Sequence, residues 1–458
     1  MKEKLRNNIV VDLIPMLSII IVGGFSILKW KIGVVFPILV CVLISGIIAH
    51  LRGASLSQIE NAMSEGVKSV FPALITVILV GLIISSWIMG GIIPAMVYWG
   101  FKILNFNNFL PMTFIITSLV AIITGTSFTS MATIGISFMI IARQAGVPAE
   151  MVAGAVVSGA FLGDKMSPLS DTTNISAALG KTDLFEHIQY MLYDTIPAFI
   201  ISLLGFKILN PIIDTTTLDT QKIDTLLSEI TDIFNVTPLV FIIPLLIMFL
   251  GIKKIPSIVV LFISVVMGIV SSVIFQNFKM VEIIRNTISG TNLNFQNLII
   301  GKLFSKGGLN ESSSTVIVII FIGCLIGIIN QCGLFDNILA KIQLKIRSSK
   351  QLTISVFLVS LGIGFITGAQ LLAIIIPISV FLPLFKKFKL KNKNITRIVE
   401  ATGTVGITLI PWSVPGIFIS KILEVNMLQV IPYLLFPITV LIMNLFFNLT
   451  EIGIAKEV

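Results

Sequence analysis

The sequence predicts an all-α protein that crosses a membrane many times. Of its 458 residues, 55% are hydrophobic and 12% are charged, and the mean hydropathy is +1.04. A soluble domain has about 25% charged residues, so this chain has too little polar surface to cover a water-exposed globule. Long apolar runs recur along the chain, and none shows the alternation of a transmembrane β-strand.

The apolar runs approach or exceed the ~20 residues that a membrane helix needs. Because backbone polar groups in hydrocarbon must bond within their own segment, the runs predict helices. They cover residues 9–28, 34–51, 72–87, 188–209, 236–250, 255–275, 315–329, 351–385 and 427–449. The basic start has no signal-peptide cleavage site before Lys29, so we expect a first span with a cytoplasmic N-terminus.

The charged and sulfur-containing residues exclude several function classes. The net charge of +9 does not indicate nucleic-acid binding, because Lys and Arg cluster between the predicted spans, where they orient a membrane protein. Cys41, Cys324 and Cys332 form no CxxC motif, so we expect neither a disulfide framework nor a zinc site. No HExxH, GxSxG or Walker motif indicates an enzyme.

The chain contains a weak internal repeat at a constant offset of 243 residues. This offset carries Thr124 to Thr367, and the same shift pairs further glycines, prolines and serines, namely Gly90 with Gly333, Gly163 with Gly406, Pro168 with Pro411 and Ser170 with Ser413. We therefore predict two membrane repeats, residues 1–213 and 236–458, joined by a surface linker helix at 214–235.

The two repeats are predicted to have inverted topology. Residues 386–397 carry six positive charges and no acid, whereas the equivalent residues 143–154 carry one Arg and one Glu. Cytoplasmic loops collect Lys and Arg, so these equivalent loops should lie on opposite sides of the membrane.

Residues 351–385 lie between two basic loops and suit two helices that enter and leave on one side. The predicted tip contains Thr367, Gly368 and Gln370. A re-entrant hairpin is acceptable where its tip is buried in protein or lines a cavity; two full spans would satisfy the same topology.

The first repeat has an equivalent tip, residues 124–130. Its hydroxyls and glycine, which include Thr124, Gly125, Thr126 and Ser127, either form one wall of an ion site or bond back to helix carbonyls.

The most informative segment is GDKMSPLSDTTN, residues 163–174. The preceding apolar residues 151–163 would form only ~20 Å of helix, so we expect a span broken within the membrane, with Pro168 in the break. Asp164, Lys165 and Asp171 are too costly to face lipid and must face one another or a wet cavity. The alternative is an ordinary surface loop.

Such a break suits a sodium ion, which prefers oxygen ligands. The candidate ion and proton ligands are Asp164, Ser167, Ser170, Asp171, Thr172, Thr173 and Asn174, with sodium placed at Asp164, Ser170, Asp171 and Thr173. A carboxylate there binds either a proton or sodium, which is sufficient for exchange. Lys165 is expected to balance the charge of the empty site.

The second repeat has its own break at 401–416, without carboxylates. Its candidate residues are Gly403, Thr404, Thr408, Pro411, Trp412 and Ser413, which form either a substrate half-site or a structural hinge. Glu400 precedes them and either binds a proton or pairs with the neighbouring basic loop.

The GDKMSPLSDTTN string and GTVGITLIPW at 403–412 closely resemble the NhaC family of sodium/proton antiporters. The resemblance implies inverted repeats, re-entrant hairpins facing broken helices, and a homodimer in the cytoplasmic membrane of a prokaryote. Family members often have an acidic residue near Ala369 and Asn at Ser413, and these differences leave the stoichiometry and substrate open.

We therefore expect a secondary transporter that exchanges sodium for protons, with membrane lipid as its surroundings and no cofactor besides the transported ions. The alternative function is a sodium- or proton-coupled exchanger of small organic anions, of the malate/lactate type, or of amino acids. A membrane enzyme and a channel are less consistent with the duplicated breaks.

Overall fold

A computed structural model describes residues 14, 18, 21–22, 35–103, 106–211, 220–253, 255–296, 300–301, 304–333 and 336–457. The predicted span 9–28, the position of the N-terminus and part of the linker therefore lie outside the described residues. The described chain is helical. Its α-helices are α1 Val35–Leu51, α2 Leu56–Met89, α3 Ile92–Ile103, α4 Phe109–Thr124, α5 Ser127–Ser130, α6 Ile136–Gln144, α7 Ala149–Met166, α8 Asp171–Leu179, α9 Leu184–Leu209, α10 Thr220–Ile233, α11 Ile242–Ile252, α12 Ser257–Phe275, α13 Met280–Ser289, α14 Gly308–Gln331, α15 Asp336–Lys345, α16 Ser349–Thr367, α17 Gln370–Lys387, α18 Lys393–Val399, α19 Val414–Ile422, α20 Met427–Val430 and α21 Leu435–Thr450.

Many of these helices match the dimensions of a bilayer. Within the described ranges, seven are long and apolar enough to cross a membrane, and three further pairs are bent by 46° to 85° at a short break. One such pair is Lys393–Leu409 with Val414–Ile422. The protein is thus an all-helical, multi-pass membrane protein with broken helices, as predicted.

Two helical hairpins occupy the predicted positions. The first joins α4 to α5, which continues through the π-helical stretch Met131–Gly135 into α6, and the second joins α16 to α17. At the tips, Gly125 has φ 74° and Gly368 has φ 66°, a left-handed conformation that only glycine adopts without strain. Each tip glycine donates its N–H to the carbonyl four residues earlier at 2.8 Å.

The first break is shorter than the sequence predicts. Helix α7 does not end at Gly163 but continues to Met166, so Asp164 and Lys165 are helical, and Asp171 already begins α8. Only residues 167–170 are unwound. The reason is Pro168, which disfavours helical backbone at the residue before it; Ser167 is accordingly extended, with ψ 130°.

Small residues allow helices α2 and α14 to pack closely against each other. Helix α14 lies against α2, where a Cβ added at Gly327 would stand 1.8 Å from the Ala62 carbonyl oxygen and one at Gly66 would stand 2.0 Å from the Gly323 oxygen. Glycine contacts of this kind are typical of membrane helix pairs. Within the predicted linker, α10 buries Leu226 and Ile230; the division into repeats and their inverted orientation stay predictions.

Candidate functional site

A cavity of about 350 Å³ lies where the two hairpin tips, the middle of α2 and the residues at the two helix breaks meet. The first tip contributes Gly125 and Thr126, and the second contributes Ala369 and Gln370. Asp164 and Asp171 are the charged residues among its described lining, which contains no Lys or Arg. The two predicted acids thus do not lie on an outer loop remote from the hairpins but share one pocket between them.

Asp164 is held by hydroxyls from both sides of the break. Its side chain is 7% exposed. Its Oδ2 accepts hydrogen bonds from Ser127 Oγ at 2.6 Å and from the Ser127 N–H at 3.3 Å, and its Oδ1 accepts one from Ser170 Oγ at 2.6 Å. The hairpin tip and the broken helix therefore converge on one buried carboxyl group.

Ser170 occupies the N-cap position of α8 without capping it. Its hydroxyl makes no bond to the first-turn N–H groups; it donates to Asp164 and lies 3.0 Å from the Thr172 hydroxyl. Asp171 follows in the first helical turn, where a negative charge is favourable. Unlike Asp164, Asp171 is exposed, and its carboxylate stands in the cavity near Asp164.

The other predicted residues of this segment brace the break. Ser167 donates to the Ile122 carbonyl oxygen at 2.7 Å. Thr173 donates to the carbonyls of Asp164 and Lys165 at 3.3 and 3.2 Å. Asn174 donates to the carbonyls of Pro168 and Ser170 at 2.8 Å each. These three side chains do not line the cavity; they donate to backbone carbonyls of the break, of the end of α7 and of the hairpin helix α4, and so hold the unwound segment in place.

In the first hairpin, Thr124 is buried and its hydroxyl lies 3.1 Å from that of Ser130. The second hairpin contributes Gln370, whose amide donates to the Thr404 carbonyl at 3.4 Å. Thr367 instead bonds within its own hairpin, donating to the Ile363 carbonyl at 2.7 Å.

At the second break, Thr408, Trp412 and Ser413 bond to backbone groups of the second hairpin and of the break itself, and Trp412 is half-buried. Thr408 donates to the Val405 carbonyl at 2.7 Å, and the Trp412 indole donates to the Phe365 carbonyl at 2.8 Å. Ser413 caps α19 by accepting from the Gly416 N–H at 3.0 Å. The cavity lining contains six of the predicted residues, Gly125, Thr126, Asp164, Asp171, Thr172 and Gln370. The predicted residues outside the lining are Thr124, Ser127, Ser167, Ser170, Thr173, Asn174, Thr367, Gly368, Gly403, Thr404, Thr408, Pro411, Trp412 and Ser413.

The sequence predicts that Lys165 balances the charge of the empty site, but its ammonium group does not bond Asp164. It is fully buried, and its ammonium bonds Asp194 Oδ1 at 2.8 Å and Thr195 Oγ1 at 3.0 Å. Asn444 donates to the other Asp194 oxygen at 2.7 Å. Sequence reasoning missed Asp194, although an acid inside the 26-residue apolar helix α9 is the signal that reveals such a partner.

The lining suits a cation. Two carboxylates and several hydroxyls offer the oxygen ligands that hard cations prefer, and no positive side chain in the described lining competes for them. In the part of the chain that the structure describes, no group of three His, Cys, Asp or Glu residues is arranged to hold a transition metal.

Comparisons with known proteins show which family the sequence resembles. A family model described as the Na⁺/H⁺ antiporter family matches residues 8–173 and 159–449. The chain is 31% identical to the Na⁺/H⁺ antiporter NhaC of Alkalihalophilus pseudofirmus, over 100% of this chain and 98% of the relative. It is 30% identical to the arginine/ornithine antiporter ArcD of Halobacterium salinarum, over 94% and 90%. It is 29% identical to the malate-2H⁺/Na⁺-lactate antiporter of Bacillus subtilis, over 91% and 90%.

Proposed function

The chain belongs to the Na⁺/H⁺ antiporter family, and we propose that it exchanges sodium ions for protons at the cavity between the two hairpin tips. The single observation that carries this assignment is Asp164, a buried carboxyl held by Ser127 and Ser170 at the wall of that cavity. Asp171 is the second carboxylate of the lining and is exposed.

Because Asp164 is buried, its carboxylate binds either a proton or a cation. An isolated carboxylate away from water is costly, so Asp164 is stable in the interior either with a proton or with a cation beside it. The two occupants exclude each other because both neutralise the same charge. Net movement of the site across the membrane therefore carries one or the other, which couples the two gradients.

The hydroxyl groups of Ser127 and Ser170 can stabilise the site both without sodium and with sodium bound. Ser127 and Ser170 donate to the carboxylate in the structure, and a hydroxyl also has lone pairs that can turn toward an ion. With sodium bound, the oxygens of Asp164, Asp171, Ser170 and Thr172 are the side-chain ligands within the lining or at its edge. Thr173 supports the site through the α7 carbonyls rather than through the cavity.

A second candidate function is exchange of an organic solute, because a cavity of about 350 Å³ exceeds what a bare sodium ion requires. Two relatives exchange arginine for ornithine and malate for lactate, according to their names. The described lining, with two acids and no Lys or Arg, favours a cationic solute over a dicarboxylate.

We also propose that the protein acts in the cytoplasmic membrane of a prokaryote, as a homodimer, without a cofactor and without enzymatic activity. The family match to transporters supports the last point, and bacterial relatives support the location.

The test is sodium-driven proton flux in proteoliposomes. The wild-type protein should acidify or alkalise the lumen according to the sodium gradient, and Asp164→Asn should reduce the flux to that of empty liposomes. Asp171→Asn should raise the sodium concentration for half-maximal flux by about tenfold or more. The matched control is Asp232→Asn, because Asp232 is an exposed residue of α10.

Wild-type flux in Asp164→Asn would show that the exchange site lies elsewhere. The solute alternative is tested in the same vesicles with labelled arginine and labelled malate. Uptake of arginine that depends on Asp164, in the absence of sodium-driven proton flux, would replace the first proposal with the second.

A further inference from the structure

Glu400 is a further buried carboxyl group, and unlike Asp194 it is not paired with a lysine among the described residues. It begins the π-helical stretch Glu400–Val405 of the second broken span and is fully buried. Its Oε1 accepts a hydrogen bond from Ser176 Oγ at 2.6 Å. The Thr404 hydroxyl also faces the carboxyl group, but neither that hydroxyl nor Oε2 makes a hydrogen bond of normal geometry among the described residues. The pairing with the basic loop that the sequence allowed is not found.

The charged groups around Glu400 are occupied by other partners. Lys165 and Asp164 face it from α7, but the Lys165 ammonium bonds Asp194. Arg397, one turn earlier on its own helix, donates to the Gly453 carbonyl and lies over the ring of Tyr190. No salt bridge to Glu400 is found among the described residues, so its ionised form would be a buried charge without an ion pair, which is unfavourable.

One helix connects Glu400 to the cation site. Ser176 is on α8, whose first residue is Asp171 and whose N-cap residue Ser170 bonds Asp164. A hydrogen bond donated to a carboxylate favours its ionised form. Any displacement of α8 that accompanies a change of occupant at Asp164 will therefore change how tightly Glu400 holds a proton.

We propose that Glu400 is a second proton-binding residue and that each exchange cycle carries one proton there in addition to the proton that competes with sodium at Asp164. This inference rests on the proposed sodium/proton exchange. The charge balance is explicit. One sodium ion crosses in one direction and two protons cross in the other, so one net positive charge moves in each cycle.

The exchange of one sodium ion for two protons can be tested with Glu400→Gln. This variant keeps the shape of the side chain but cannot release a proton. One proton then exchanges for one sodium ion, and no net charge moves. In potassium-loaded proteoliposomes with valinomycin, the sodium gradient at which the wild-type proton flux vanishes should change about tenfold for each ~59 mV of membrane potential. In Glu400→Gln, exchange should persist and this gradient should not respond to potential.

The controls separate this inference from the proposed function. Glu60→Gln changes an exposed acid of α2 and should keep the wild-type response to potential. Ser176→Ala removes the hydrogen bond to Glu400 but keeps its carboxyl group, so it should keep the wild-type response to potential. Gel filtration and thermal unfolding of Glu400→Gln establish that the variant is folded.

A Glu400→Gln variant that still responds to potential, or a folded one that has lost all exchange, would overturn the assignment. So would a wild-type protein whose exchange is insensitive to potential. If instead the wild-type protein shows no sodium-driven proton flux, the proposed function itself fails.

Discussion

The two helix breaks of this protein share a backbone plan and differ in chemistry. In each half, the tip glycine of a hairpin packs on the break. A Cβ at Gly125 would stand 2.5 Å from Leu169 Cβ, and one at Gly368 would stand 3.2 Å from the Trp412 oxygen. Leu169 and Trp412 are themselves 243 residues apart. These two contacts therefore have the same spacing as the predicted repeat, although the Cβ at Gly368 would lie slightly nearer to Ser413 Cα, at 3.1 Å.

Side chains that lie 243 residues apart make different contacts at the two breaks. Asp164 corresponds to Ile407, and Ser127, which bonds Asp164, corresponds to Gln370. Ser170 gives its hydroxyl to Asp164, whereas its equivalent Ser413 caps a helix. In the cavity, residues 124–172 supply both carboxylates, and residues 369–415 supply a neutral wall, so the two breaks have similar backbones and different chemistry.

Asp164→Asn should abolish exchange, and this is the strongest of the effects expected here. The variant to compare with it is at Ile407, which lies 243 residues later. Ile407→Val removes one methyl group from a fully buried side chain and should cost about 0.5–1.5 kcal/mol of stability while exchange continues. Proton flux and thermal unfolding of both variants are the measurements. Equal loss of flux in the two variants would mean that both breaks carry the chemistry.

Much of this frame could be predicted from the sequence, because glycine, proline and clustered charge have local consequences. Gly125 and Gly368 mark turns that require positive φ, and Pro168 marks the break. The predicted spans do not include α4, although Phe106–Thr124 is long and apolar enough to cross a membrane. Its run contains Thr113 and Thr117. Both threonines are fully buried, and the pattern alone does not reveal that protein rather than lipid surrounds them.

The second expected effect compares the two hairpin tips. Any residue other than glycine pays about 1–2 kcal/mol for left-handed backbone, so Gly368→Ala should destabilise the protein by about that amount. Gly125→Ala adds a collision with Leu169, and overpacking of this kind costs a further ~1–3 kcal/mol. Thermal unfolding in detergent measures both. A larger loss in Gly368→Ala would contradict the difference in packing between the two tips.

The third effect compares the two serines that the repeat relates. Ser170→Ala removes a hydrogen bond to a charged group, a contact worth about 1.5–3 kcal/mol, and should therefore weaken sodium binding by about 10- to 100-fold. Ser413→Ala removes a helix cap, which costs ~1 kcal/mol of stability, and should leave sodium affinity unchanged. Sodium titration of the proton flux gives the affinity. A weaker affinity in Ser413→Ala alone would assign the ion to the second break.

The polar contacts deeper in the protein show where sequence reasoning stops. Lys165 stands beside Asp164 in the chain, yet its side chain bonds Asp194 on α9. Glu400 stands beside a basic loop, yet it bonds Ser176 on α8. In both cases the partner comes from a distant helix, and a single sequence gives the position of a charge along its own helix but not the face that it meets.

The smallest effect concerns the far ends of the two hairpins. Arg143, near the end of the first, bonds Glu424 at 2.6 Å, and Lys306 bonds the same carboxylate at 2.8 Å. The equivalent of Arg143 in the second hairpin is Lys386, which is exposed. Because Glu424 is 40% exposed, solvent screens the pairs, and Glu424→Gln should cost only ~0.2–1 kcal/mol. Lys386→Gln, the matched variant, should cost less.

The lowered pKa of Glu424 determines how its contribution to stability depends on pH. Burial alone would raise the pKa of Glu424, but the Lys306 and Arg143 cations outweigh it and hold that pKa below the usual 4.5. The contribution of Glu424 is therefore fully present above pH 4.5 and is lost as pH falls through its lowered pKa. Thermal unfolding of wild type and Glu424→Gln should differ at neutral pH and converge in acid. A difference that grows in acid would mean that the carboxylate is not stabilised by these cations, and the first hairpin would then be no better anchored than the second.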